Sequence, residues 1–418
     1  MVDSRIWVCV RPYTGSYAQI RVLCTENRNV PGEVQLIYDA IVVGAGPAGA
    51  ILAYLLGKSG LRVLLLEKAN LPRYKTCGGG LTFKAIRDLP FDVRSAVEVE
   101  ASGGIVTFQG RQLLRTEVQQ PFAWLVMRDR FDHFLVQQAI NVGVQLLDGV
   151  QVIGAEEEQH CILVRTTRGA FRASLLAAAD GVNSMIASLA GLLLHREVGL
   201  ALEAEVNVPA GAIEVQGDYA TFDFGALSHG YGWIFPKSDH LSVGIFRAYP
   251  GKGVRMKDTL ARFIASQPVL HDCQILKLRG QLIPLGGLSS SLNKGRIILL
   301  GDAANLADPW LGEGIYYAIR SARIAAEEII RFLKGNLADL SSYTNRINQE
   351  VVSQLSQARL FARFIYQFPL LGSHLISKSL LMQQIVFSAI RGDKNFQQVN
   401  RILIRQIPAI LAQTLQGG

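Results

Sequence analysis

The sequence predicts an α/β protein with three parts: a domain built on a parallel sheet, a domain built on an antiparallel sheet, and a helical C-terminal segment. Three short apolar runs are typical of buried parallel strands, namely Tyr38–Val43, Leu175–Ala179 and Ile297–Leu300. Residues 200–250 alternate between apolar and polar positions with turns between them, which favours an antiparallel sheet. Residues 336–418 have helical spacing, and this spacing indicates the third part.

We divide the chain where these patterns change. Residues 1–36 show no clear period, so they are treated as an N-terminal extension without an assigned function. The parallel-sheet domain is predicted to be discontinuous, with residues 37–98, 122–190 and 280–335. The antiparallel domain takes residues 99–121 and 191–279, and the helical C-terminal region takes residues 336–418.

Composition and charge narrow the classes of function. Of the 418 residues, 49% are hydrophobic and the mean hydropathy is +0.23, which suits an apolar substrate or contact with a membrane. The most apolar windows are interrupted by glycine, charge or turn residues, so no transmembrane helix is expected. The net charge of +8 comes without a basic run interleaved with aromatic residues. We therefore expect no nucleic-acid partner, whereas anionic lipid headgroups fit the charge.

The cysteines indicate a reducing compartment. They are odd in number, are scattered and form no C-x-x-C pair: Cys9, Cys24, Cys77, Cys161 and Cys273. Neither a disulfide framework nor a metal site is expected. The N-terminus has no secretion signal, so we expect a cytoplasmic protein, with association at the cytoplasmic face of a membrane as an open alternative.

Residues 38–68 contain a complete phosphate-binding pattern. After the first strand, Gly44, Gly46 and Gly49 form a G-x-G-x-x-G turn that lets a pyrophosphate approach the backbone. A helix then begins at Pro47 and points its free N–H groups at the phosphate. The next strand ends at Glu67, whose carboxylate suits the hydroxyls of an adenosine ribose. We predict a dinucleotide site here, although an ordinary glycine-rich turn has the same local pattern.

A second glycine-rich segment follows. Gly78, Gly79 and Gly80 remove side chains from a loop where something flat or bulky must come close, unless the loop is merely flexible. Cys77 precedes them, and it is either a proton donor facing a cofactor or a buried, inert thiol.

Two single polar residues lie at other predicted element ends. Arg128 opens a helix with a polar face at Asp129, Asp132 and Gln137, and it either braces a cofactor phosphate or caps the surface. Asp180 lies at the carboxyl end of a predicted strand, beside the cleft where α/β sheets bind ligands.

An aromatic segment lies in the predicted antiparallel domain. Strand alternation places Tyr231, Trp233 and Phe235 on one face, which is suited to lining a pocket. An aromatic hairpin packed into its own core is the alternative. His229 and His240 are interpreted as structural or surface residues.

Residues 295–330 give the second strong signal. Gly301 and Asp302 follow a buried strand and are positioned to bind a polyol chain. Residues 309–314 then lead into a long helix from about Ile315, whose N-terminus favours negative charge.

The C-terminal region is basic and apolar. Between residues 359 and 418, seven Lys and Arg residues face a single acidic one, Asp393. Helices of this kind lie on a membrane surface or cap a cleft as core helices, and the sequence favours neither.

Together, the motifs resemble those of the geranylgeranyl reductase family, flavoproteins built like p-hydroxybenzoate hydroxylase. Six segments match in order: GAGPAG with Glu67, PRYKTCGGGL, RDRFD, AADGVNS, YGWIFPK and GDAANLADPWLGEGIYYAI. Two departures are Asn305, in place of a glycine, and Arg320-Ser321-Ala322, in place of x-Ser-Gly. The segment Cys77–Thr82 also differs from the CGGAIP of the plant-type chlorophyll branch.

The resemblance implies a Rossmann-like FAD-binding domain, an antiparallel substrate domain and non-covalently bound FAD. The implied cofactor-binding residues are Gly44, Gly46, Pro47, Ala48, Gly49, Glu67, Lys68, Arg73, Cys77, Gly78, Gly79, Gly80, Arg128, Asp180, Gly301, Asp302, Pro309, Gly312, Glu313, Gly314 and Ile315.

The implied reaction is hydride transfer from the flavin to an isolated C=C bond of a prenyl chain, on a lipid or a diphosphate. The catalytic candidates are Cys77, Tyr231 and Trp233, and Cys77, Tyr231 or an ordered water supplies the proton. NAD(P)H or a ferredoxin-type donor reduces the flavin. The rival functions are a flavin monooxygenase or halogenase, a flavin-dependent cyclase, and a catalytically silent lipid-binding or membrane-scaffold protein.

Overall fold

A computed structural model of the chain describes residues 37–118, 121–192, 196–249, 254–402 and 405. The predicted N-terminal extension, with Cys9 and Cys24, lies outside the described residues, as do residues 406–418 of the predicted helical region. In chain order the strands are β1 (Ile37–Tyr38), β2 (Ala40–Val43), β3 (Val63–Leu66), β4 (Gly80–Thr82), β5 (Val97–Ala101), β6 (Gly103–Phe108), β7 (Arg111–Glu117), β8 (Ala123–Val126), β9 (Gln145–Leu147), β10 (Val152–Glu157), β11 (Ile162–Thr166), β12 (Gly169–Ala173), β13 (Leu176–Ala178), β14 (Val198–Asn207), β15 (Tyr219–Asp223), β16 (Gly230–Pro236), β17 (Leu241–Arg247), β18 (Gln274–Pro284), β19 (Asn293–Lys294) and β20 (Ile297–Leu299).

The helices connect these strands and then continue to the end of the described chain. They are α1 (Pro47–Lys58), α2 (Phe83–Asp88), α3 (Arg128–Asn141), α4 (Met185–Leu189), α5 (Ala210–Gln216), α6 (Met256–Ser266), α7 (Ile315–Leu333), α8 (Ser341–Ile347), α9 (Ser353–Gln367), α10 (Pro369–Lys378) and α11 (Leu380–Arg391).

The first large sheet is parallel, as predicted. Its order is β19-β20-β13-β2-β3-β9, and each neighbouring pair is parallel except β19 with β20. All side chains of β2, β3, β13 and β20 are buried, which explains why these segments are continuous apolar runs. Helix α1 packs against α3 and α7. The carboxyl ends of β2, β13 and β20 therefore form one edge, where a ligand site is expected.

The second large sheet has seven strands in the order β18-β14-β17-β16-β15-β6-β7. Neighbouring strands are antiparallel except β15 with β6, which are parallel. The predicted antiparallel sheet is confirmed with this one exception. β18 is an edge strand, and most of its residues before Pro284 are exposed or half-buried.

Two smaller sheets complete the described fold. Their orders are β1-β12-β11-β10 and β4-β8-β5. Strand β5 is separated from β6 by a single residue, and the predicted domain boundary between residues 98 and 99 falls inside β5. The exact division of the chain into domains stays a prediction.

The C-terminal helices α9, α10 and α11 have a buried and an exposed apolar surface. On the buried side, Phe361, Ile365 and Ile390 belong to the same apolar cluster as Tyr231 and Phe246 of the seven-stranded sheet. The exposed side carries large apolar residues, which are Leu360, Phe364, Phe368, Leu370 and Leu380. No helix of the described chain is both long and apolar enough to cross a lipid bilayer.

Helix α9 is fastened to the segment after β18 by a buried arginine. Arg359 is 5% exposed and donates hydrogen bonds to the carbonyl oxygens of Leu285 (3.1 Å) and Gly286 (2.8 Å). Its guanidinium also forms an ion pair with Glu197. Because a buried cation needs partners, these contacts fix the position of the helix over the sheet.

Candidate active site

A cavity of about 720 Å³ lies at the carboxyl ends of the parallel strands. Its walls come from the parallel sheet, the seven-stranded sheet, the loop before β4 and residue Ile390 of α11. This volume lies in the upper part of the usual range for small-molecule sites. Within the described ranges, no group of three or more His, Cys, Asp or Glu side chains is placed to hold a metal ion.

The first wall is the glycine turn between β2 and α1. Gly44 has φ +99°, and a Cβ atom there would lie 2.3 Å from the carbonyl oxygen of Ala179. A Cβ atom on Gly49 would lie 1.9 Å from the oxygen of Gly44. Both positions therefore require glycine. Gly44, Gly46, Pro47 and Ala48 line the cavity, whereas Gly49 packs behind them.

Glu67 follows β3 at the same edge of the sheet. Its carboxylate is 5% exposed and accepts hydrogen bonds from the backbone N–H groups of Ala45 (2.9 Å) and Ala69 (3.1 Å). These bonds hold the side chain at the cavity wall, where Lys68 also lies, although Lys68 is exposed. The geometry is suited to a hydroxyl-bearing ligand.

A buried carboxylate joins two arginines at the next wall. Asp132 Oδ1 and Oδ2 accept from Arg128 Nε (2.7 Å) and Nη2 (2.9 Å), and Oδ2 also accepts from Arg73 Nη1 (2.9 Å). Arg73 Nε lies 3.4 Å from Glu67 Oε2. The assignment of Asp132 to the polar face of α3 is wrong, because its side chain is only 1% exposed and is directed towards these cations.

The triple-glycine loop is held from below by Lys237. This lysine is 2% exposed, and its Nζ donates to the carbonyl oxygens of Gly78 (2.9 Å) and Val126 (3.0 Å). Gly79 has φ +71°, and a Cβ atom there would lie 2.0 Å from the Val126 oxygen. Cys77, half-buried, precedes the loop, and its Sγ accepts from the N–H of Gly79 (3.4 Å). All three glycines and Cys77 line the cavity.

Two aspartates complete the polar wall. Asp180 Oδ2 accepts from the N–H of Met185 (3.0 Å), while its buried Oδ1 has no hydrogen-bond partner among the described residues. Burial raises the pKa of Asp302, against the charges of Lys75 and Arg128. Both aspartates line the cavity. Gly301 does not, and its backbone instead lies against Ala48 and Ala318.

The segment before α7 is anchored by its acidic residues. Glu313 pairs with Lys84 (2.6 Å) and accepts a hydrogen bond from the hydroxyl of Thr82. Asp308 is buried and accepts from the N–H of Trp310 (2.6 Å), and burial raises its pKa to about 6. These contacts place Gly312, Glu313, Gly314 and Ile315 along the cavity, whereas Pro309 is buried outside its lining.

The opposite end of the cavity is aromatic. Tyr231, Trp233 and Phe235 all line it from β16, together with Phe222 and Phe246. The hydroxyl of Tyr231 donates to the carbonyl oxygen of Leu311 (2.7 Å), and burial raises the pKa of this tyrosine well above its usual value. Trp233 Nε1 is buried and has no partner within the described part of the chain.

The comparisons with known proteins identify the family. A family model described as an FAD binding domain matches residues 37–244. Over 316 residues the chain is 30% identical to geranylgeranyl diphosphate reductase of Rhodobacter capsulatus, which covers 72% of this chain and 78% of the relative. The chain belongs to the geranylgeranyl reductase family.

Two further likenesses extend over most of this geranylgeranyl reductase family member. It is 28% identical over 356 residues to digeranylgeranylglycerophospholipid reductase 1 of Methanopyrus kandleri, covering 80% of this chain and 92% of that one. A geranylgeranyl bacteriochlorophyll reductase-like protein of Thermoplasma acidophilum has the same fold, with a TM-score of 0.75, 24% identity and coverage of 88% and 99%. The predicted family and fold are confirmed, and the protein is an FAD-dependent oxidoreductase.

The cavity of this family member fits FAD. The turn at Gly44 leaves no room for side chains where a pyrophosphate approaches, and α1 directs its N-terminus there. Arg73 lies beside that turn, since a Cβ atom on Gly46 would be 3.8 Å from its Nη2, and Arg128 lines the same cavity. Asp180, whose Oδ1 has no hydrogen-bond partner among the described residues, can accept a hydrogen bond from a bound ligand. Glu67 suits the ribose.

Several cavity residues were not predicted from the sequence, namely Lys75, Gln281 and Glu203. Lys75 Nζ contacts Gln281 Oε1, and burial lowers the pKa of this lysine. Glu203 lies on β14, where two glutamates alternate with leucine, alanine and valine. Glu203 could have been found from the sequence only as an acidic residue within an otherwise apolar strand. Lys75 and Gln281 carry no such local signal, because they meet from segments 206 residues apart.

Proposed function

We propose that the protein reduces isolated C=C bonds in the prenyl chain of a lipid or a prenyl diphosphate. The observation that carries this proposal is the position of the aromatic end of the cavity directly beside the triple-glycine loop. A Cβ atom on Gly78 would lie 3.0 Å from both the Phe235 ring and Trp233 Nε1. A flat ring system lying on the loop would thus be in contact with whatever occupies the aromatic end. The names of the two curated relatives point to the same class of substrate.

The aromatic end is suited to a branched hydrocarbon chain. The Phe222 ring centroid lies 5.4 Å from that of Phe235 and 5.9 Å from that of Tyr231, and Tyr231 lies 5.8 Å from Phe246. These rings are rigid and apolar, so they bind a prenyl chain with little loss of side-chain freedom. Ile283, Leu311 and Ile390 extend the apolar wall. The site thereby excludes water from the double bond.

We assign different roles in the reaction to Tyr231, Trp233 and Cys77. FAD, when bound, supplies the hydride, and a proton must reach the other carbon of the double bond. The hydroxyl proton of Tyr231 is committed to the Leu311 carbonyl, so we assign Tyr231 and Trp233 to shaping the cavity. Cys77, at the edge of the loop, is the proposed group nearest the reacting carbon.

The reductant that reloads the flavin is proposed to be NAD(P)H or a ferredoxin-type donor. The chain contains one G-x-G-x-x-G turn, and it is assigned to FAD, so a nicotinamide would bind only transiently. Anaerobic mixing of the oxidised protein with each donor in turn, followed by the flavin absorbance, identifies the donor that reduces it.

The decisive experiment is anaerobic. The FAD-loaded protein is reduced with dithionite, geranylgeranyl diphosphate or a prenylated lipid is added, and the flavin absorbance is followed. We expect the oxidised spectrum to return together with a product heavier by two hydrogens per turnover. A flavin that stays reduced until air is admitted favours the monooxygenase or halogenase function instead. A product of unchanged mass, formed without net oxidation of the flavin, favours a cyclase. A bound flavin that supports no turnover with any substrate, in the presence or absence of air, favours a silent lipid-binding protein.

We also propose peripheral contact with an anionic lipid surface through the exposed apolar side of α9 and α10. Leu360, Phe364 and Phe368 recur every four residues and are 56%, 45% and 50% exposed. The sequence from 351 to 392 contains no Asp or Glu but has four Lys or Arg residues. An apolar stripe with basic flanks is typical of helices that lie in a membrane interface.

Vesicle sedimentation tests this contact. We expect the protein to sediment with phosphatidylglycerol vesicles and less with phosphatidylcholine vesicles, and the Phe364→Ser, Phe368→Ser double variant to remain in the supernatant. Val215→Ser is the matched control, because Val215 is 65% exposed on α5, in another part of the chain. Equal sedimentation of the double variant and the control would remove the helices from the proposed contact.

A further inference from the structure

A line of hydrogen-bonded side chains leads from the cavity towards the surface. Glu203, which lines the cavity, and Glu205 lie two positions apart on β14, so they are on the same face of the strand. They are 1% and 6% exposed. The hydroxyl of Tyr74 lies between them, 3.4 Å from Glu203 Oε2 and 3.2 Å from Glu205 Oε1.

The line continues to an exposed carboxylate. His240 Nε2 lies 3.1 Å from Glu205 Oε2, and His240 Nδ1 lies 2.6 Å from Asp239 Oδ1. The side chain of His240 is 14% exposed, whereas that of Asp239 is 79% exposed. Every step from Asp239 to Glu203 is therefore within or close to hydrogen-bond distance, and one end is in solvent. His240, interpreted from the sequence as a structural or surface residue, joins these two acids.

The geometry requires a proton inside the line. The Tyr74 hydroxyl lies between the two carboxyl groups and has only one proton, so it can donate to only one of them. If both groups were ionised, an oxygen of the other carboxylate would face the Tyr74 oxygen with no hydrogen between them. Burial and the charge of Glu205 raise the pKa of Glu203 to about 7, against the hydrogen bond from Ser242, the charge of Lys237 and the N–H of Cys77. Burial lowers the pKa of His240, but the hydrogen bonds with Glu205 and Asp239 outweigh this effect and raise it.

Positively charged side chains surround the two glutamates. Strand β18 places Arg279 opposite Glu203 and Lys277 opposite Glu205, and Lys277 Nζ lies 3.8 Å from the centre of the Tyr74 ring. The charge of the buried Lys237 also acts on both glutamates. Ser242 donates to Glu203 Oε1 (2.8 Å), but it leads to no further titratable group in the line.

We propose that Glu203, Tyr74, Glu205 and His240 form a proton relay that brings protons from solvent at Asp239 into the cavity. Its use in catalysis depends on the proposed alkene reduction, in which each C=C bond takes one hydride, with its electrons, from the reduced cofactor and one proton. Glu203 releases a proton to the cavity, where the second carbon takes it directly or through Cys77. His240 then passes a proton to Glu205, Tyr74 takes one from Glu205 as it passes its own to Glu203, and His240 is reprotonated from solvent at Asp239. No electron moves along the line.

Three variants test the relay in the FAD-loaded protein. In anaerobic single turnovers, we expect Glu203→Gln to slow reoxidation of the flavin by geranylgeranyl diphosphate roughly 100-fold, since a general acid contributes about this much. In repeated turnovers with excess dithionite, we expect Tyr74→Phe to slow the reaction roughly tenfold, because every turnover after the first needs Glu203 to be reprotonated through this hydroxyl. Ser242→Ala is the matched control, since it removes another hydrogen bond to the same carboxyl group. In the wild type the rate should fall as the pH rises through about 7, and this dependence should be absent in Glu203→Gln.

The possible results distinguish failure of the relay proposal from failure of the proposed prenyl substrate. Equal slowing by Tyr74→Phe and Ser242→Ala, or a pH dependence retained in Glu203→Gln, would overturn the relay. If no prenyl compound reoxidises the wild type, the prenyl proposal fails, and infrared spectra of the oxidised protein decide the relay. A carboxylic acid band that is present below pH 7, disappears above it and is missing in Glu203→Gln supports the relay. The absence of such a band from the wild type would overturn it.

Discussion

At the scale of single residues, Gly79 decides whether the triple-glycine loop of the cavity can form. Gly79→Ala adds a Cβ atom 2.0 Å from the Val126 oxygen at φ +71°, so we expect loss of bound FAD and a lower melting temperature. Gly60→Ala is the matched control, because Gly60 has φ +81° and no atom within 4 Å of the added Cβ. Both variants carry the strain of a positive φ, about 1–2 kcal/mol. Flavin absorbance relative to protein absorbance should fall only in Gly79→Ala, and equal retention of FAD would contradict the contact.

Asp132 is the second single-residue case. Asp132→Asn leaves Arg73 and Arg128 without their shared carboxylate, and breaking a buried ion pair costs about 3–5 kcal/mol. We expect this loss in the free energy of unfolding and weaker retention of FAD. Asp129→Asn, on the same helix, removes an exposed charge but keeps an oxygen that accepts from the N–H of Arg130, so it should cost less than about 1 kcal/mol. A cost for Asp132→Asn as small as that of the control would show that the cluster is not structural.

Single residues also show which parts of the site could be predicted from the sequence and which could not. Gly44 and Glu67 were predictable because a local pattern of strand, turn and helix fixes their positions. Tyr74 meets Glu203 across 129 residues and Thr82 meets Glu313 across 231 residues. Contacts of this kind depend on how distant elements pack, which no local pattern encodes.

At the scale of elements, Arg359 attaches helix α9 to the chain after β18. We expect Arg359→Ala to loosen α9, α10 and α11, with faster amide hydrogen exchange in these helices than in α1, because two carbonyls and Glu197 lose their partner. Arg363→Ala is the control one turn further along the same helix, where the side chain is exposed. Unchanged exchange in Arg359→Ala would show that apolar packing alone holds the helices.

Helices and strands with a strong hydrophobic periodicity were predictable, whereas the elements that pack beside them were not. The helix from Ile315 begins where the sequence predicted, after a glycine-rich turn. The parallel pairing of β15 with β6 was not predicted, because alternation gives the face of a strand but not the direction of its neighbour. The C-terminal helices pack against the core on one side, while their other side is apolar and exposed, and contact of that side with a membrane stays a proposal.

At the scale of the whole molecule, stability should depend on pH through Glu203. Its pKa is raised from 4.5 to about 7, so the folded protein holds a proton that the unfolded chain releases. This contribution, about 3 kcal/mol, is complete below about pH 4.5 and is lost as the pH rises to about 7. Urea unfolding of the flavin-free protein across this range should show a steeper fall for the wild type than for Glu203→Gln. Glu214→Gln, on the exposed surface of α5, should follow the wild type. Parallel curves for wild type and Glu203→Gln would contradict the raised pKa.

The span of the cavity wall has a consequence for the order of events during synthesis. The wall begins at Val43 and ends at Ile390, which are 347 residues apart (390 − 43). At about 5–20 residues per second, roughly 20–70 s separate the appearance of these two residues from the ribosome. The glycine turn therefore exists long before anything can close over a bound cofactor. The wall around FAD is therefore complete only after Ile390 has been made, so enclosure of the cofactor comes late in synthesis.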